Sequence, residues 1–373
     1  MKIAIIGTGI SGLTAAYLLH RHHDITIYEA NDYIGGHTAT VDVELDGANH
    51  AVDTGFIVYN DWTYPNFIKL MDRLGVQSQA TEMGFSVTTR HQNYDFEYCG
   101  STINSLFADR RQILNPAFLR MVRDIMIWSA STAQVADFDT LFFVRFFANH
   151  GLLNIADRPQ WRVLKGGSRS YIKPITQGFR KNIRLNTAVQ SVHRGVDRVT
   201  VSCTRGVEGF DHVIFACHSD QALNLLRDPD TSEKEILEAI PYRDNSVILH
   251  TDEGLLPTRR NAWASWNYLL DGTESQQPVL TYNMNILQGI ETVKPICVTV
   301  NGEKHIDPSK VLRRFNYSHP QFGRGSVAAQ GDWEKINGHK RTWFCGAYWR
   351  NGFHEDGVVS AIPVVDALGG DRL

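Results

Sequence analysis

The chain opens on alternating apolar runs and glycine-rich turns, a pattern that predicts a strand, a helix and a second strand. Lys2–Ile6 is a short, isoleucine-rich apolar run, as expected of a strand buried in a parallel sheet. Leu13–Leu19 is predicted to be helical, and Ile25–Tyr28 is predicted to be the second strand, with Glu29 at its carboxyl end. A strand, a helix and a strand in this order indicate an α/β unit with parallel strands.

The turn between the first strand and the helix has the pattern G-x-G-x-x-G, formed by Gly7, Gly9 and Gly12. In a dinucleotide-binding fold the first glycine allows the tight turn, the second lets a pyrophosphate approach, and the third lets helix and strand pack closely. The phosphates meet the helix N-terminus, and Glu29 accepts from the ribose hydroxyls. Because an acid there disfavours a 2′-phosphate, NAD or FAD is predicted rather than NADP. The alternative, a glycine turn in an ordinary α/β unit, is disfavoured by this ordered context.

Further along the chain, the hydrophobic pattern predicts the elements of two domains, because 373 residues exceed the usual single core. Asp46-Gly47 predicts a tight hairpin turn. The predicted strands are 40–45, 85–89, 94–98, 183–186, 188–192, 199–203, 209–217, 247–251, 262–270, 279–285 and 342–347. The predicted helices are 64–74, 105–131, 171–179, 220–226, 232–240 and 358–368, with a loop at 352–357 before the last of them.

The composition is that of an ordinary globular protein, with 43% hydrophobic and 21% charged residues, which argues against extensive disorder. A formal net charge of −3 gives no electrostatic reason to expect nucleic acid. The five cysteines are scattered without a C-x-x-C pair, which favours free thiols in a reducing compartment over disulfides or a metal site. Because no apolar run could span a bilayer and the N-terminus does not resemble a signal peptide, a cytoplasmic location is predicted.

Two further signals follow the second strand: the pair Gly35-Gly36 with His37, and the stretch Asp53–Asn60, which is DTGFIVYN. Together with GTGISG at Gly7–Gly12, they resemble the flavin-containing amine oxidase superfamily. His37 stands where the superfamily usually has an arginine, so the phosphate electrostatics of this loop would be softer. Three longer blocks resemble bacterial NAD/FAD-binding proteins associated with cyclopropane fatty acid synthesis: Asp53–Phe67, Ala216–Leu223 and Ala347–Ala361.

The resemblance implies an α/β fold of the GR2-type flavoproteins, in which a Rossmann-like FAD/NAD(P)-binding domain is joined to an α+β substrate domain. The implied cofactor domain is discontinuous, at 1–75, 160–230 and 335–373, and the substrate domain covers 76–159 and 231–334. The implied cofactor is non-covalent FAD, since Cys345 does not lie in the family's covalent-attachment pattern. The cofactor-binding residues predicted on this basis are Gly7, Gly9, Ile10, Ser11, Gly12, Glu29, Ala30, Gly35, Gly36, His37, Thr54, Gly55, Phe56, Ile57, Val189, Ala216, Gly346, Asp356, Gly357 and Val358.

The C-terminal block contributes to that site through a helix N-terminus. In the superfamily, the equivalent of Gly346 approaches the ribityl–phosphate portion, and the helix that starts near Asp356–Val358 points its N–H groups toward the flavin. A reduced flavin gains negative charge, which a helix N-terminus stabilises. An ordinary helix cap would also explain Asp356-Gly357 alone. The position of Val189 contacts the adenine end in the superfamily, and Ala216 is small where a flavin or ribose could pass.

The resemblance also implies an FAD-dependent oxidoreductase that abstracts a hydride from a C–N or C–C unit, with a small-molecule or fatty-acyl substrate. Two alternatives stay open: a non-catalytic, flavin-bound accessory protein of a lipid-modifying methyltransferase, and an NAD-dependent dehydrogenase. The candidates for the flavin face are Tyr59, Tyr282, Tyr348 and Trp349, without an assigned proton-transfer residue. The basic pattern at 105–131 fits either peripheral contact with an anionic membrane or an ordinary surface helix. The sequence leaves the oligomeric state open.

Two departures from the superfamily concern the substrate side. The stretch 245–250 is NSVILH, without the lysine that amine oxidases usually present to the flavin, which weakens a literal amine oxidase interpretation. Several helical turns usually found between the equivalents of Asp124 and Ile127 are missing, so the helical segment is shortened near 124–127. The aromatic run Leu141–Phe147 could line an acyl-binding cavity, although core packing explains such runs more often.

Overall fold

The structure is a computed structural model that describes residues 1–91, 94–120, 158–270 and 279–373. Three features of the sequence lie outside these described residues: the second part of the helical pattern at 105–131, the junction near 124–127, and the aromatic run Leu141–Phe147. None of the described helices is long and apolar enough to cross a membrane.

The described strands and helices follow the chain in this order. The strands are β1 (Lys2–Ile6), β2 (Asp24–Tyr28), β3 (Thr40–Leu45), β4 (Ala48–Asp53), β5 (Tyr59–Asn60), β6 (Ser78–Thr81), β7 (Phe85–His91), β8 (Tyr94–Cys99), β9 (Trp161–Leu164), β10 (Ile183–Arg184), β11 (Val189–Arg194), β12 (Val199–Cys203), β13 (Gly206–Phe210), β14 (His212–Phe215), β15 (Tyr242–His250), β16 (Trp266–Leu270), β17 (Val279–Asn283), β18 (Cys297–Val300), β19 (Val311–Pro320) and β20 (Thr342–Phe344). The α-helices are α1 (Ile10–Leu19), α2 (Pro65–Leu74), α3 (Ile103–Leu106), α4 (Ile172–Thr176), α5 (Ser219–Leu225), α6 (Thr231–Glu238), α7 (Met284–Gln288), α8 (Arg324–Gly331) and α9 (His354–Leu368).

A five-stranded parallel sheet organises one part of the molecule, with strand order β10-β2-β1-β14-β20. Successive residues of β1 face opposite sides of it. Ile3 and Ile5 pack with α1 and α9 in one core cluster, whereas Ala4 and Ile6 pack with β11–β13 and α6 in another. Because the strands are parallel, their carboxyl ends meet at one edge, which is where ligands bind in open α/β sheets. The Rossmann-like fold predicted from the sequence is confirmed.

A second, seven-stranded sheet has the order β19-β15-β18-β17-β16-β7-β8. Its pairs are antiparallel except for β16 and β7, which run parallel. The hairpin β3–β4 turns at Asp46-Gly47, where both residues have positive φ, as the sequence predicts. A small sheet, β5-β9-β6, joins the segments before and after the gap at 121–157. The exact domain boundaries given above stay a prediction.

The continuous helix predicted from residue 105 is wrong in its described part. The chain instead forms the short helix α3, a 3-10 helix at Arg110–Leu114 and a new helical stretch from residue 116. Asp109 caps the 3-10 helix, because its Oδ1 accepts from the N–H of Arg111 at 3.1 Å. Asn115 is extended, with φ −92° and ψ 109°, as expected of a residue that precedes proline.

Side-chain contacts also shift three other predicted boundaries. The strand predicted at 209–217 is divided between β13 and β14, because Asp211 turns the chain and accepts from the N–H of Lys2 at 2.7 Å. The strand predicted at 262–270 begins only at Trp266, so Trp263 precedes it and donates its indole N–H to the carbonyl of Pro257. The strand predicted at 279–285 ends at Asn283, whose side chain caps α7.

Candidate functional site

The loop between β1 and α1 has no room for side chains at two of its glycines. Gly7 has a φ of +106°, and a Cβ there would lie 2.6 Å from the carbonyl oxygen of Ala216. A Cβ on Gly12 would lie 2.2 Å from the carbonyl oxygen of Gly7. Gly9 differs from both, because a Cβ on it would meet nothing within 4 Å. Gly7 and Gly12 therefore close the turn, and Gly9 faces open space at the helix N-terminus, where Ile10 begins α1.

Glu29 is buried at the carboxyl end of β2 and is held by backbone donors. Its Oε2 accepts from the N–H of Thr8 at 3.1 Å and from the Thr8 hydroxyl, and its Oε1 accepts from the N–H of Asn31 at 2.9 Å. Thr8 also accepts from the N–H of Gly35 at 3.2 Å. The sequence interpretation missed Thr8, the residue between the first two glycines, which connects Glu29 to the second glycine loop. Ala30 follows Glu29 and is exposed.

The second glycine loop packs directly on the first and on the stretch that follows β4. A Cβ on Gly36 would lie 3.3 Å from the Cα of Gly9, so the two loops approach each other backbone to backbone. A Cβ on Gly55 would lie 2.2 Å from the carbonyl oxygen of His37, which accepts from the N–H of Phe56 at 2.8 Å. The structure therefore brings the predicted residues of these two segments, Gly35–His37 and Thr54–Ile57, into one layer.

The N-terminus of α9 lies beside the N-terminus of α1. A Cβ on Gly357 would lie 2.6 Å from Cγ2 of Ile10 and 2.9 Å from Oγ of Ser11, so these two first turns are in close contact. Gly346 is connected to the same turn, because its N–H donates to Ser360 Oγ, which donates to the carbonyl of Gly357. Two helix N-termini side by side give this part of the molecule an affinity for anions.

The loop predicted at 352–357 ends earlier, because α9 already begins at His354. Asp356 caps this helix: its Oδ2 accepts from the N–H groups of Phe353 at 2.9 Å and Asn351 at 3.2 Å. Burial raises the pKa of the Asp356 carboxyl to about 6. Glu355 is also engaged, since it accepts from the N–H of Phe67 at 2.7 Å at the start of α2.

Three further predicted residues line the same region from other segments. Ala216 follows β14, and its Cβ would lie 3.1 Å from a Cβ on Gly12. Val358 is fully buried in α9. Val189 opens β11, two residues after Thr187, whose N–H donates to the carbonyl of Glu29 at 2.8 Å.

The four aromatic candidates for the flavin face are not brought together. Tyr59 packs against Phe67, with ring centroids 5.1 Å apart, in the core beneath α2. Tyr282 packs edge-on against Trp266 in the seven-stranded sheet. Tyr348 and Trp349 are neighbours, with ring centroids 5.0 Å apart, in a third cluster. Cys345 is a buried free thiol.

Sequence reasoning also missed a polar contact between three distant segments. Thr38 Oγ lies 3.1 Å from Nε2 of His354 and hydrogen-bonds the hydroxyl of Tyr171. His354 stacks on Phe56, with ring centroids 3.6 Å apart, and burial lowers the pKa of its imidazole well below the usual value. The imidazole of His354, in the first turn of α9, is therefore neutral. It contacts Thr38, which follows the second glycine loop. The only sequence signal for it is the histidine in the block Ala347–Ala361.

Comparisons with known proteins give two family matches in this chain. Residues 5–74 match the family described as NAD(P)-binding Rossmann-like domain, and residues 118–261 match the family described as flavin containing amine oxidoreductase. These two matches support the flavin-containing amine oxidase superfamily for this chain. Its cofactor is accordingly FAD, and the second description marks a family of FAD-dependent oxidoreductases.

Curated relatives match part of this chain. The zeta-carotene desaturase of Synechocystis is 25% identical over 169 residues, which are 40% of this chain and 34% of that protein. The zeta-carotene desaturase of Capsicum annuum is 24% identical over 179 residues, which are 43% of this chain and 30% of that protein. The chain thus spans about a third of the length of the curated relatives it matches.

Solved structures share the fold over nearly the whole chain. The cyclohexylamine oxidase of Brevibacterium oxydans has a TM-score of 0.64 at 17% identity and covers 99% of both chains. A fatty acid isomerase of P. acnes that produces CLA has a TM-score of 0.64 at 15% identity and covers 98% of both chains. At these identities the likeness concerns the fold alone.

The residues of the site fit FAD on two observations. Gly9 leaves open space at the N-terminus of α1, where a phosphate can reach the backbone N–H groups without meeting a side chain. His37 has a buried Nε2 atom without a hydrogen-bond partner among the described residues, so a donor or acceptor is available beside the glycine loops. These residues, with Glu29 and the first turn of α9, would hold the cofactor.

A cavity of about 830 Å³ lies beside this site. Its wall includes Thr38 and Ile34 from the second glycine loop, and Ile172 from α4. Three cationic side chains, Arg169, Lys173 and Arg180, also line it, and its lining includes no carboxylate. The remaining lining residues are Tyr33, Ala39, Thr40, Val41, Thr176, Gln177, Phe315 and Tyr317. The cavity therefore combines apolar walls with positive charge.

Proposed function

We propose that this protein is an FAD-dependent oxidoreductase that abstracts a hydride from a C–N or C–C unit of an apolar substrate, with a fatty-acyl or related lipid as the preferred class. The observation that carries the proposal is the cavity beside the predicted cofactor residues, which has the size of a small-molecule site and mostly apolar walls. FAD, when bound, supplies the hydride acceptor.

The side chains around the cavity have two tasks in this proposal. Ile34, Ile172 and Phe315 supply apolar surface against which an acyl chain can pack and from which water is excluded. Lys173 and Arg180 form no ion pair among the described residues, so they are available to hold a carboxylate or another anionic head group. Arg169 pairs with Asp42 in an exposed salt bridge and is therefore less available.

The names of the relatives agree with a lipid-type substrate. The curated relatives are named for zeta-carotene, and one structural neighbour is named for a fatty acid. The proposed link to cyclopropane fatty acid synthesis rests only on the resemblance of the three sequence blocks given above. Contact with a membrane surface, where such substrates reside, stays a prediction.

The test mixes the FAD-loaded protein anaerobically with four substrate classes: fatty acids, phospholipid vesicles, carotenes and primary amines. Flavin reduction is followed as loss of absorbance at about 450 nm. We expect reduction by a fatty-acyl or another lipid substrate and none by the amines. Reduction by amines alone would overturn the substrate class, and no reduction by any class would favour the flavin-bound accessory protein over the enzyme.

A pair of variants tests the cavity itself. Ile172→Trp fills part of the wall, and we expect it to slow flavin reduction by the lipid substrate. Val196→Trp adds the same side chain at a position that is 93% exposed and outside the cavity, so it serves as the matched control. Equal rates for the two variants would place the substrate elsewhere.

A further inference from the structure

Three histidine rings from distant segments meet beside the first glycine loop. The centroid of His37 lies 5.3 Å from that of His319 and 6.2 Å from that of His218. We call these three residues the imidazole cluster. His37 follows Gly36 on the second glycine loop, His218 follows β14, and His319 lies near the end of β19.

Backbone contacts place the segments that carry His37 and His218 against the first glycine loop. Gly36, the neighbour of His37, approaches the Cα of Gly9. Ala216, two residues before His218, packs against Gly7 and Gly12. His37 and His218 are therefore carried by the two backbone segments that pack against the first glycine loop, at the N-terminus of α1.

Two members of the cluster are held in fixed orientations. The ring of His218 stacks on that of Tyr242, with centroids 4.0 Å apart and planes at 8°. His319 lies with its Nδ1 2.9 Å from the amide nitrogen of Asn245, whose oxygen accepts from Asn301 at 2.9 Å. Because the Asn245 nitrogen can only donate, Nδ1 of His319 must accept. The neutral ring then carries its proton on Nε2, as an N–H donor.

His37 is the member without a complete set of partners. Its Nε2 atom is buried and has no hydrogen-bond partner among the described residues. Burial, together with the nearby His319 and His218, lowers the pKa of His37 to about 4. An anion placed against the ring would reverse this effect, because an opposite charge favours the protonated form.

We propose that the imidazole cluster binds the FAD pyrophosphate. His37 takes up a proton on binding, and the neutral ring of His319 donates a hydrogen bond from its Nε2–H to the phosphate. The cluster stands in for the arginine that the superfamily usually has at this position. Unlike an arginine, which stays charged at all working pH values, His37 makes cofactor affinity depend on pH.

The other charges around the cluster do not remove this dependence. Burial lowers the pKa of His218, and the opposing effects of Asp220 and Asp244 do not reverse this direction. Tyr317 lies 5.5 Å from His37, and burial raises the pKa of its phenol, so it stays neutral. His354, whose pKa is lowered by burial, is also neutral. No group of three or more His, Cys, Asp or Glu side chains in the described part of the chain could hold a metal ion, which disfavours a metal site.

The experiment measures dissociation constants of FAD and riboflavin for the apoprotein between pH 6 and pH 8, by quenching of flavin fluorescence. Uptake of one proton changes affinity by at most tenfold per pH unit. We expect FAD to bind about tenfold more tightly at pH 6 than at pH 8, since uptake is complete over only part of this range. Riboflavin lacks the phosphates, and its affinity should not change with pH.

Variants separate the roles of His37 and His319. His37→Gln should weaken FAD binding and abolish its pH dependence, and His37→Arg should bind FAD tightly at every pH. His319→Gln should weaken FAD binding at every pH and keep the pH dependence. His193→Gln, at an exposed position on β11, is the matched control and should behave as the wild type.

Three outcomes would overturn the proposal: FAD affinity independent of pH in the wild type, a pH dependence that survives His37→Gln, or an equal dependence for riboflavin. A wild-type apoprotein that binds no FAD would overturn it as well. The proposal rests on the cofactor site and not on the reaction proposed above, because every readout is a binding constant. Absence of turnover with any substrate would therefore leave it standing.

Discussion

Two alanine variants in the first glycine loop should have different effects: Gly12→Ala should mainly lower stability, and Gly9→Ala should mainly lower FAD affinity. A Cβ on Gly12 would lie 2.2 Å from the carbonyl oxygen of Gly7, whereas a comfortable contact needs about 3.5 Å. Helix α1 would have to move away from β1 by about 1 Å or more. A Cβ on Gly9 would meet nothing within 4 Å, and its φ of −63° suits any residue.

The expected magnitudes follow from these contacts. Overpacking costs about 1–3 kcal/mol, and the upper end applies to Gly12→Ala because its methyl group would meet a backbone carbonyl. Alanine recovers about 1 kcal/mol of helix propensity, so the net loss of stability should be about 2 kcal/mol. Gly9→Ala should cost about 0.5–1 kcal/mol as a change of helix cap, because alanine is a poorer N-cap than glycine. Its methyl group, however, occupies the approach of the phosphate. Losing one charge-assisted hydrogen bond removes about 1.5–3 kcal/mol of binding free energy, or about 10- to 150-fold in affinity.

Two measurements check the pair. Thermal unfolding of the apoproteins should show a Tm lowered by about 3 °C for Gly12→Ala and by about 1 °C for Gly9→Ala, because the large unfolding entropy of a chain of this length keeps such shifts small. Titration with FAD should show the larger loss of affinity for Gly9→Ala at a temperature where both variants are folded. Wild-type FAD affinity in Gly9→Ala would refute the reasoning, because the phosphate would then not pass that residue.

Two further predictions concern stability and its pH dependence. Glu233→Gln removes the buried carboxylate that pairs with the fully buried guanidinium of Arg194 and leaves that guanidinium only the partly exposed Asp228, so it should cost about 3 kcal/mol in urea unfolding, the lower end for breaking a buried ion pair. Lys335→Ala, in an exposed ion pair, should cost about 0.5 kcal/mol or less, and equal costs would contradict this. Burial lowers the pKa of His250 to about 4, so the unfolded chain binds more protons between about pH 6.5 and pH 4 and stability falls as the pH falls through this range. Between pH 7 and pH 4, the free energy of unfolding of the His250→Gln variant should fall by on the order of 3 kcal/mol less than that of the wild type. An equal fall in both proteins would exclude His250 as the source of the pH dependence.

The sequence predicts the part of the site that depends on short-range rules. Residues 2–29 contain the strand, the turn, the helix and the acid within one local pattern, and the structure has each of them. The hairpin at Asp46-Gly47 and the end of α2 at Gly75, which has a φ of +69°, also follow from single residues that tolerate positive φ.

The rest depends on contacts that no local pattern specifies. Thr38 meets Tyr171 and His354 across 133 and 316 positions of sequence, so nothing near Thr38 announces its partners. The strand predicted at 209–217 is interrupted at Asp211, whose carboxylate accepts from the N–H of the distant Lys2. The four aromatic candidates for the flavin face lie in three separate clusters, because aromatic residues pack equally well in any of several cores.

The contact between the N-termini of α1 and α9 bears on how a histidine can stand at position 37, where the superfamily usually has an arginine. Gly357 lets the first turn of α9 touch Ile10 and Ser11, so two sets of unpaired N–H groups point into the same region. Each helix N-terminus favours an anion by about 0.3–1 kcal/mol at the surface and more when partly buried. A phosphate held between them needs less from a side-chain charge, which lets a histidine serve at position 37. The backbone attraction is constant with pH, so any pH dependence of FAD affinity must come from side chains. Both His37 and the Asp356 carboxyl, whose pKa is raised to about 6, titrate in this region, and the His37→Gln variant separates their contributions.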